Sequence, residues 1–157
     1  MSRRGTSIIV LCVALAGAAV DLRAAQGQGG GEGVFVTVHE ESVALADGRT
    51  RRLYRTAGFV LADEGSPFHR AEQDCSGAEI LAADGKHLGA AGSCIATDPD
   101  GDVWWIWWRG DGKGGTWGFL GGSGKFEGIT GGGSTRRALE WPSGRFTLKW
   151  EGAWNRP

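Results

Sequence analysis

Eight tryptophans are the residues of this chain best suited to binding chemistry. They stand in a chain of 157 residues that holds only one tyrosine and one methionine. Indole rings could line an apolar cavity for a small hydrophobic or aromatic ligand, stack on sugars, or form a surface for a partner. Filling a core or packing against a neighbouring subunit is the commoner use of buried aromatic side chains. If a cavity exists, we expect these side chains to bind its ligand: Trp104, Trp108, Trp117, Phe126 and Trp150.

The ionisable side chains show no spacing that is diagnostic of a catalytic or metal site. His39, His69 and His87 are the only histidines. Neighbours such as His39 and Glu40 would point to opposite faces of a strand, so they form no joint site. We therefore expect no metal and no cofactor. If the protein is an enzyme, one or two buried polar residues would assist catalysis, and the candidates are Glu127, Glu151 and His69.

Three aspartates, Asp98, Asp100 and Asp102, have the D-x-D-x-D spacing that opens a calcium-binding loop. Such a loop also needs glycine at its sixth position and an acidic residue at its twelfth. Those positions hold Val103 and Arg109 here. Because Asp-Pro-Asp-Gly is an ordinary turn sequence, residues 98–102 are predicted to form a hairpin turn.

Residues 1–25 have the three parts of a secretory signal peptide. Arg3 and Arg4 are followed by the short apolar run SIIVLCVALA and then by small residues. The run is shorter than the roughly 20 residues that a membrane span needs, so we expect removal of the signal and no stable membrane insertion afterwards; an uncleaved anchor is the alternative. Cleavage after Ala18, Ala24 or Ala25 would fit. Residues 26–33, QGQGGGEG, are predicted to be a flexible linker, and residues 34–157 the folded domain.

The cysteines agree with export to a secreted or periplasmic location. Cys12 would leave with the signal, so the mature chain keeps Cys75 and Cys94. An even pair in an oxidising compartment predicts a disulfide; a nucleophilic or metal-binding cysteine is the competing interpretation.

The charge balance argues against nucleic acid as a partner. Removal of residues 1–25 leaves 14 basic and 17 acidic residues, a net charge of −3. Proteins that bind nucleic acids normally carry a clustered basic surface instead.

The mature chain is predicted to be all-β. The full sequence contains 29 glycines, which helices tolerate poorly and tight turns require. About eight strand-like segments are separated by turn sequences, including residues 34–39, 53–63, 103–109, 125–130 and 145–154. In the segment VWWIWWR, Trp104, Ile106 and Trp108 share one face while Trp105 and Trp107 share the other. This pattern favours a single antiparallel barrel or a sandwich.

The segment GTWGFLGGSGKFEGITGGGST, residues 115–135, resembles the signature of the allene oxide cyclase/dirigent-like barrel superfamily. In that superfamily a strand leads into a GGTGK-aromatic-xG stretch, and the matching residues here begin at Gly121 and include Lys125 and Phe126. Ser123 stands where threonine is commoner. The resemblance implies an eight-stranded antiparallel barrel of the calycin and allene oxide cyclase type. A signal peptide followed by a domain with two cysteines is more similar to the uncharacterised exported bacterial branch of this superfamily than to its enzymes.

Three functions follow as expectations. The first is a non-enzymatic exported barrel that binds a small apolar ligand or a protein partner. The second is a cofactor-free cyclase or isomerase acting in the barrel cavity. The third is a structural homo-oligomer built through the second tryptophan face. An open cavity that contains a desolvated carboxylate or histidine would favour the first two over the third.

Overall fold

The computed structural model describes residues 25–156, and the signal peptide predicted from the sequence lies outside them except for Ala25. The described chain is a closed barrel of eight strands. The strands are β1 (Ala25–Ala44), β2 (Thr50–Ala62), β3 (Ala71–Leu81), β4 (His87–Thr97), β5 (Val103–Gly110), β6 (Gly114–Gly122), β7 (Thr130–Glu140) and β8 (Arg145–Arg156). Each strand pairs antiparallel with the next, and β8 closes the barrel on β1. The predicted all-β antiparallel barrel is confirmed.

The predicted linker at residues 26–33 is wrong, because these residues form the first half of β1. They pair with β8 along their length, and Gly27 lies opposite Trp154. An added Cβ on Gly27 would lie 2.6 Å from Cζ2 of Trp154. Gly27 therefore makes room for an indole inside the barrel rather than providing flexibility, and the barrel begins at Ala25 instead of residue 34.

The predicted strand at residues 125–130 is also wrong. A 3₁₀ turn spans Gly124–Phe126, and β7 begins only at Thr130. Gly124 and Gly128 have φ values of 59° and 70°, which disfavour other residues and end the extended conformation. The glycine-rich motif thus folds the chain across one end of the barrel.

Aromatic side chains fill that end, which we call the closed end. Phe68, from the β2–β3 connection, lies 4.8 Å from Trp154 and 5.6 Å from Phe126 between ring centroids. Trp104 lies 4.6 Å from Phe126, and Ile129 completes the cluster. Burial of each such ring stabilises the fold by about 2–3 kcal/mol. The closed end therefore holds the main cluster of buried apolar side chains in the described chain.

The predicted hairpin turn at residues 98–102 is confirmed, and it is tied to the closed end. The Asp98 carboxylate accepts hydrogen bonds from the backbone N–H of Asp100 at 2.9 Å and of Asp102 at 3.0 Å. Lys125 forms ion pairs with Asp98 and, at 2.7 Å, with Asp100. The site that resembles a calcium loop is thus occupied by a lysine ammonium from the 3₁₀ turn.

The predicted disulfide is confirmed. Cys75 on β3 and Cys94 on β4 lie directly opposite each other in the ladder and are bonded. Both side chains face the barrel interior, where they line its cavity. Closing a loop with a sequence separation of 19 residues stabilises the fold by roughly 3 kcal/mol in the chain-entropy description.

Among residues 25–156, no helix is long and apolar enough to cross a membrane.

Candidate ligand-binding cavity

The barrel interior is open above the aromatic cluster. A cavity of about 180 Å³ extends from the closed end towards the turns that join β3 to β4 and β5 to β6, and we call that side the mouth. Its walls are mostly apolar and include the disulfide and the aromatic side chains Phe35, Trp108, Trp117, Phe119, Phe146 and Trp150. A cavity of about 150 Å³ with apolar walls holds benzene. The space therefore fits a ligand of about one ring.

Glycines on the walls make space for the indole rings. The Trp108 ring lies against Gly77 of β3, where an added Cβ would be 2.5 Å from Trp108 Cζ2. The Trp117 ring similarly lies against Gly152, where a Cβ would be 2.6 Å from Trp117 Cζ2. Trp117 Nε1 also donates a hydrogen bond to the Ser134 carbonyl at 3.3 Å. Close packing against an indole ring is thus one reason for glycine at these wall positions.

Four of the five predicted ligand-binding residues line the cavity. Trp104, Trp108, Trp117 and Trp150 are on its walls, whereas Phe126 is fully buried in the closed end and is absent from the lining. The alternation predicted for β5 holds, because Ile106 also faces inward. These placements come from the period of two along a strand.

The three side chains considered for catalysis lie elsewhere. Glu127 is exposed beside the closed end. Glu151 is exposed on β8 and accepts a hydrogen bond from Ser134 Oγ at 3.1 Å. The Nδ1 of His69 lies 2.6 Å from the Ala62 carbonyl oxygen in the β2–β3 connection. None of the three lines the cavity in the described structure, so chemistry inside the barrel would use other residues.

A buried carboxylate that the sequence analysis did not single out lies near the mouth. Glu79 of β3 is only 3% exposed and lines the cavity. It forms ion pairs with Arg52 of β2 and with His87 at the start of β4. Two partners offset the desolvation of the charge. The alternation of side chains along β3 is a signal in the sequence from which the inward position of Glu79 could be predicted, because Glu79 shares a face with Cys75.

Tyr54 adds a hydroxyl donor to the same part of the wall. Its ring stacks on Trp108 with centroids 6.2 Å apart and an interplanar angle of 28°. Burial, together with the negative charge of Glu79, raises the pKa of Tyr54 to about 12. The phenol therefore stays protonated at neutral pH and can donate a hydrogen bond to a ligand.

Two further polar side chains lie midway along the cavity. Gln73 of β3 and Thr56 of β2 are both buried and both line it. An amide both donates and accepts hydrogen bonds, and a hydroxyl does the same. A few polar groups on an otherwise apolar wall are typical of small-molecule sites, where they orient the ligand.

Two cationic side chains line the mouth. The Arg137 guanidinium of β7 lies 4.3 Å from the ring centroid of Phe146. Arg109 of β5 is near the rim, but its side chain is exposed on the outer face, over the ring of Trp107. Lys113 is in the turn between β5 and β6. Glu79 is the only carboxylate in the lining among the described residues, and it is already paired. The mouth is therefore positively charged.

Comparison with known proteins shows a likeness of structure. The sequence matches no protein-family model and no curated protein. The structure is similar to that of the pterocarpan synthase dirigent protein GePTS1, with a TM-score of 0.54 and 12% identity over 98% of this chain and 97% of that one. The pterocarpan synthase dirigent protein PsPTS1 gives 0.53 and 12% over 86% and 96%. The chain thus has the dirigent-like barrel fold that the motif at residues 115–135 predicts.

Proposed function

We propose that this protein is an exported barrel that binds one small apolar ligand in its cavity, without catalysing a reaction on it. The observation that carries the proposal is the open cavity of about 180 Å³. The cavity stays open although the barrel is closed. Its apolar walls favour a ligand of matching size, because burial of the ligand removes apolar surface from water. Export is supported by the buried disulfide, which is stable in oxidising compartments.

Binding without catalysis is favoured by the contacts of the one carboxylate that lines the cavity in the described structure. The two oxygens of Glu79 already contact Arg52 and His87, so a ligand would have to displace one of these partners to use the carboxylate as a base. The ion pairs instead hold β2, β3 and β4 together at the mouth.

A cofactor-free isomerase or cyclase is the second candidate. The observation that favours it is that Glu79 and the Tyr54 hydroxyl line the same cavity. Tyr54 could donate a proton to a developing negative charge while the walls enforce one substrate conformation. Turnover of a bound compound that is abolished in Tyr54→Phe, with binding retained, would favour this candidate over simple binding.

Binding can be tested by tryptophan fluorescence, since four indoles line the cavity. We would titrate toluene, cyclohexanol and 3-phenylpropanol into the oxidised, signal-free chain. If each heavy atom contributes about 0.5 kcal/mol of binding free energy, a ligand of about ten heavy atoms has a dissociation constant on the order of 0.1–1 mM.

The matched variants are Ala90→Leu and Ala91→Leu. Ala90 lines the cavity, whereas its neighbour Ala91 is exposed on the outer face of β4. We expect Ala90→Leu to abolish the fluorescence response and Ala91→Leu to keep it. No response from the wild type across the panel, or an equal response from all three proteins, would refute the proposal.

A further inference from the structure

We propose that the ligand is a small aromatic carboxylate, whose ring occupies the apolar cavity and whose anionic group is held at the mouth by Arg137 and Lys113. This inference rests on the proposed function, since it specifies the chemistry of the molecule that the cavity binds.

The first argument is the distribution of charge around the cavity. Arg137 and Lys113 line the mouth, against one carboxylate. That carboxylate, Glu79, is paired with Arg52 and His87, so it does not neutralise Arg137 or Lys113 from the cavity side.

The acidic side chains next to these cations do not line the cavity. Glu140 contacts Arg137 at 3.2 Å but is largely exposed, and such a surface pair is worth little. Asp111 accepts hydrogen bonds from the backbone N–H groups of Lys113 and Gly114, at 3.0 and 3.2 Å. An anion at the mouth would therefore gain the attraction of Arg137 and Lys113.

The second argument is the position of Arg137. Its guanidinium lies over the Phe146 ring, and that ring is part of the cavity wall. Stacking on an aromatic face limits the motion of the guanidinium, so less entropy is lost when it binds a carboxylate. The positive charge of Arg137 is also close enough to Tyr54 to act on its phenol. The anion subsite thus joins the apolar cavity directly.

The third argument is the match between size and polarity. The cavity holds about one ring, and the cations begin where its apolar walls end. A ring joined to a carboxylate by a short chain reproduces this order from the closed end to the mouth.

The test compares 3-phenylpropionate with its neutral isostere 3-phenylpropionamide by calorimetric titration at pH 7 and low salt. Both probes carry the same ring and chain, so their difference reports on the charge. We expect the carboxylate to bind at least about tenfold more tightly, and high salt to reduce this preference.

The variants are Arg137→Met together with Lys113→Met, and the control is Arg136→Met. Methionine keeps much of the apolar bulk, and Arg136 is exposed on the same strand outside the cavity lining. We expect the double variant to bind both probes equally and Arg136→Met to keep the preference.

The outcomes separate this inference from the proposed function. Equal binding of both probes by the wild type would overturn the anion subsite and leave the proposed function standing. A carboxylate preference that persists in the double variant would also overturn it. Absence of binding for both probes, and for the neutral compounds named above, would overturn both proposals.

Discussion

The indole of Trp108 on β5 lies directly against the backbone of Gly77 on β3, across the width of β4. An added Cβ on Gly77 would be 2.5 Å from Trp108 Cζ2 and 3.2 Å from Tyr54 Cζ, and every near neighbour is a side-chain atom. This contact sets the position of the ring that forms one wall of the cavity. Gly77 therefore determines the cavity shape although it contributes no side chain.

We predict that Gly77→Ala displaces Trp108 and lowers the free energy of unfolding by about 1–3 kcal/mol, the usual effect of overpacking. Urea unfolding followed by tryptophan fluorescence measures both effects. Gly29→Ala is the control, because its nearest contact would be an ordinary 3.4 Å to Trp154. If Gly77→Ala unfolds at the wild-type urea concentration with an unchanged emission spectrum, the ring is not held in this way.

The second prediction concerns the buried ion pairs of Glu79. In Glu79→Gln the Arg52 guanidinium loses its buried charged partner and His87 loses its contact with a carboxylate, so we expect a loss of about 3 kcal/mol in unfolding free energy. Chemical denaturation measures it. Glu72→Gln, exposed on the same strand, should change stability by less than about 0.5 kcal/mol. Similar stabilities for the two variants would contradict the assigned role of Glu79.

The third prediction is the pH range over which Lys125 stabilises the turn at residues 98–102. Burial by itself would raise the pKa of Asp98, but the hydrogen bonds from Lys125 and from the Asp102 N–H outweigh it and lower the pKa below 3.8. Hydrogen bonds to Asp100 and Asp98 raise the pKa of Lys125 above 10.5. A lowered carboxyl pKa contributes stability above pH 3.8 that is lost as the pH falls through the folded value. A raised lysine pKa contributes stability below pH 10.5 that is lost as the pH rises through its folded value.

We therefore expect Lys125→Met to cost about 1–2 kcal/mol between about pH 4 and pH 10.5, because the Asp98 side chain is only 1% exposed. The difference from wild type should shrink below pH 4 and above pH 10.5. Lys149→Met, an exposed position on β8, serves as the control in thermal unfolding across this range. A difference that does not vary with pH would show that Lys125 stabilises through packing alone.

The period of two along strands is the part of this fold that the sequence reveals most directly. It places Trp104, Ile106 and Trp108 on one face, and the structure agrees. The same period predicts that Glu79 shares the inward face of Cys75. Because glutamate is rarely buried, however, the residue type favours an exposed position for Glu79.

The elements that were missed depend on pairing across the barrel. Glycines of β1 have the local composition of a linker, and only their register opposite Trp154 shows that they belong to a strand. The contact between Glu79 and His87 depends on a register shift between Ile80 and Leu81, which no local pattern determines. The cations at the mouth come from β7 and from the turn between β5 and β6, so only the closed barrel brings them together.

A crystal structure of the oxidised protein under xenon pressure tests the open cavity most directly, because xenon binds dry apolar cavities of this size. We predict a xenon atom inside the barrel, in contact with Trp108, Trp117 and Trp150. An interior filled by these indoles, with no xenon among them, would contradict the cavity and the ligand-binding function built on it.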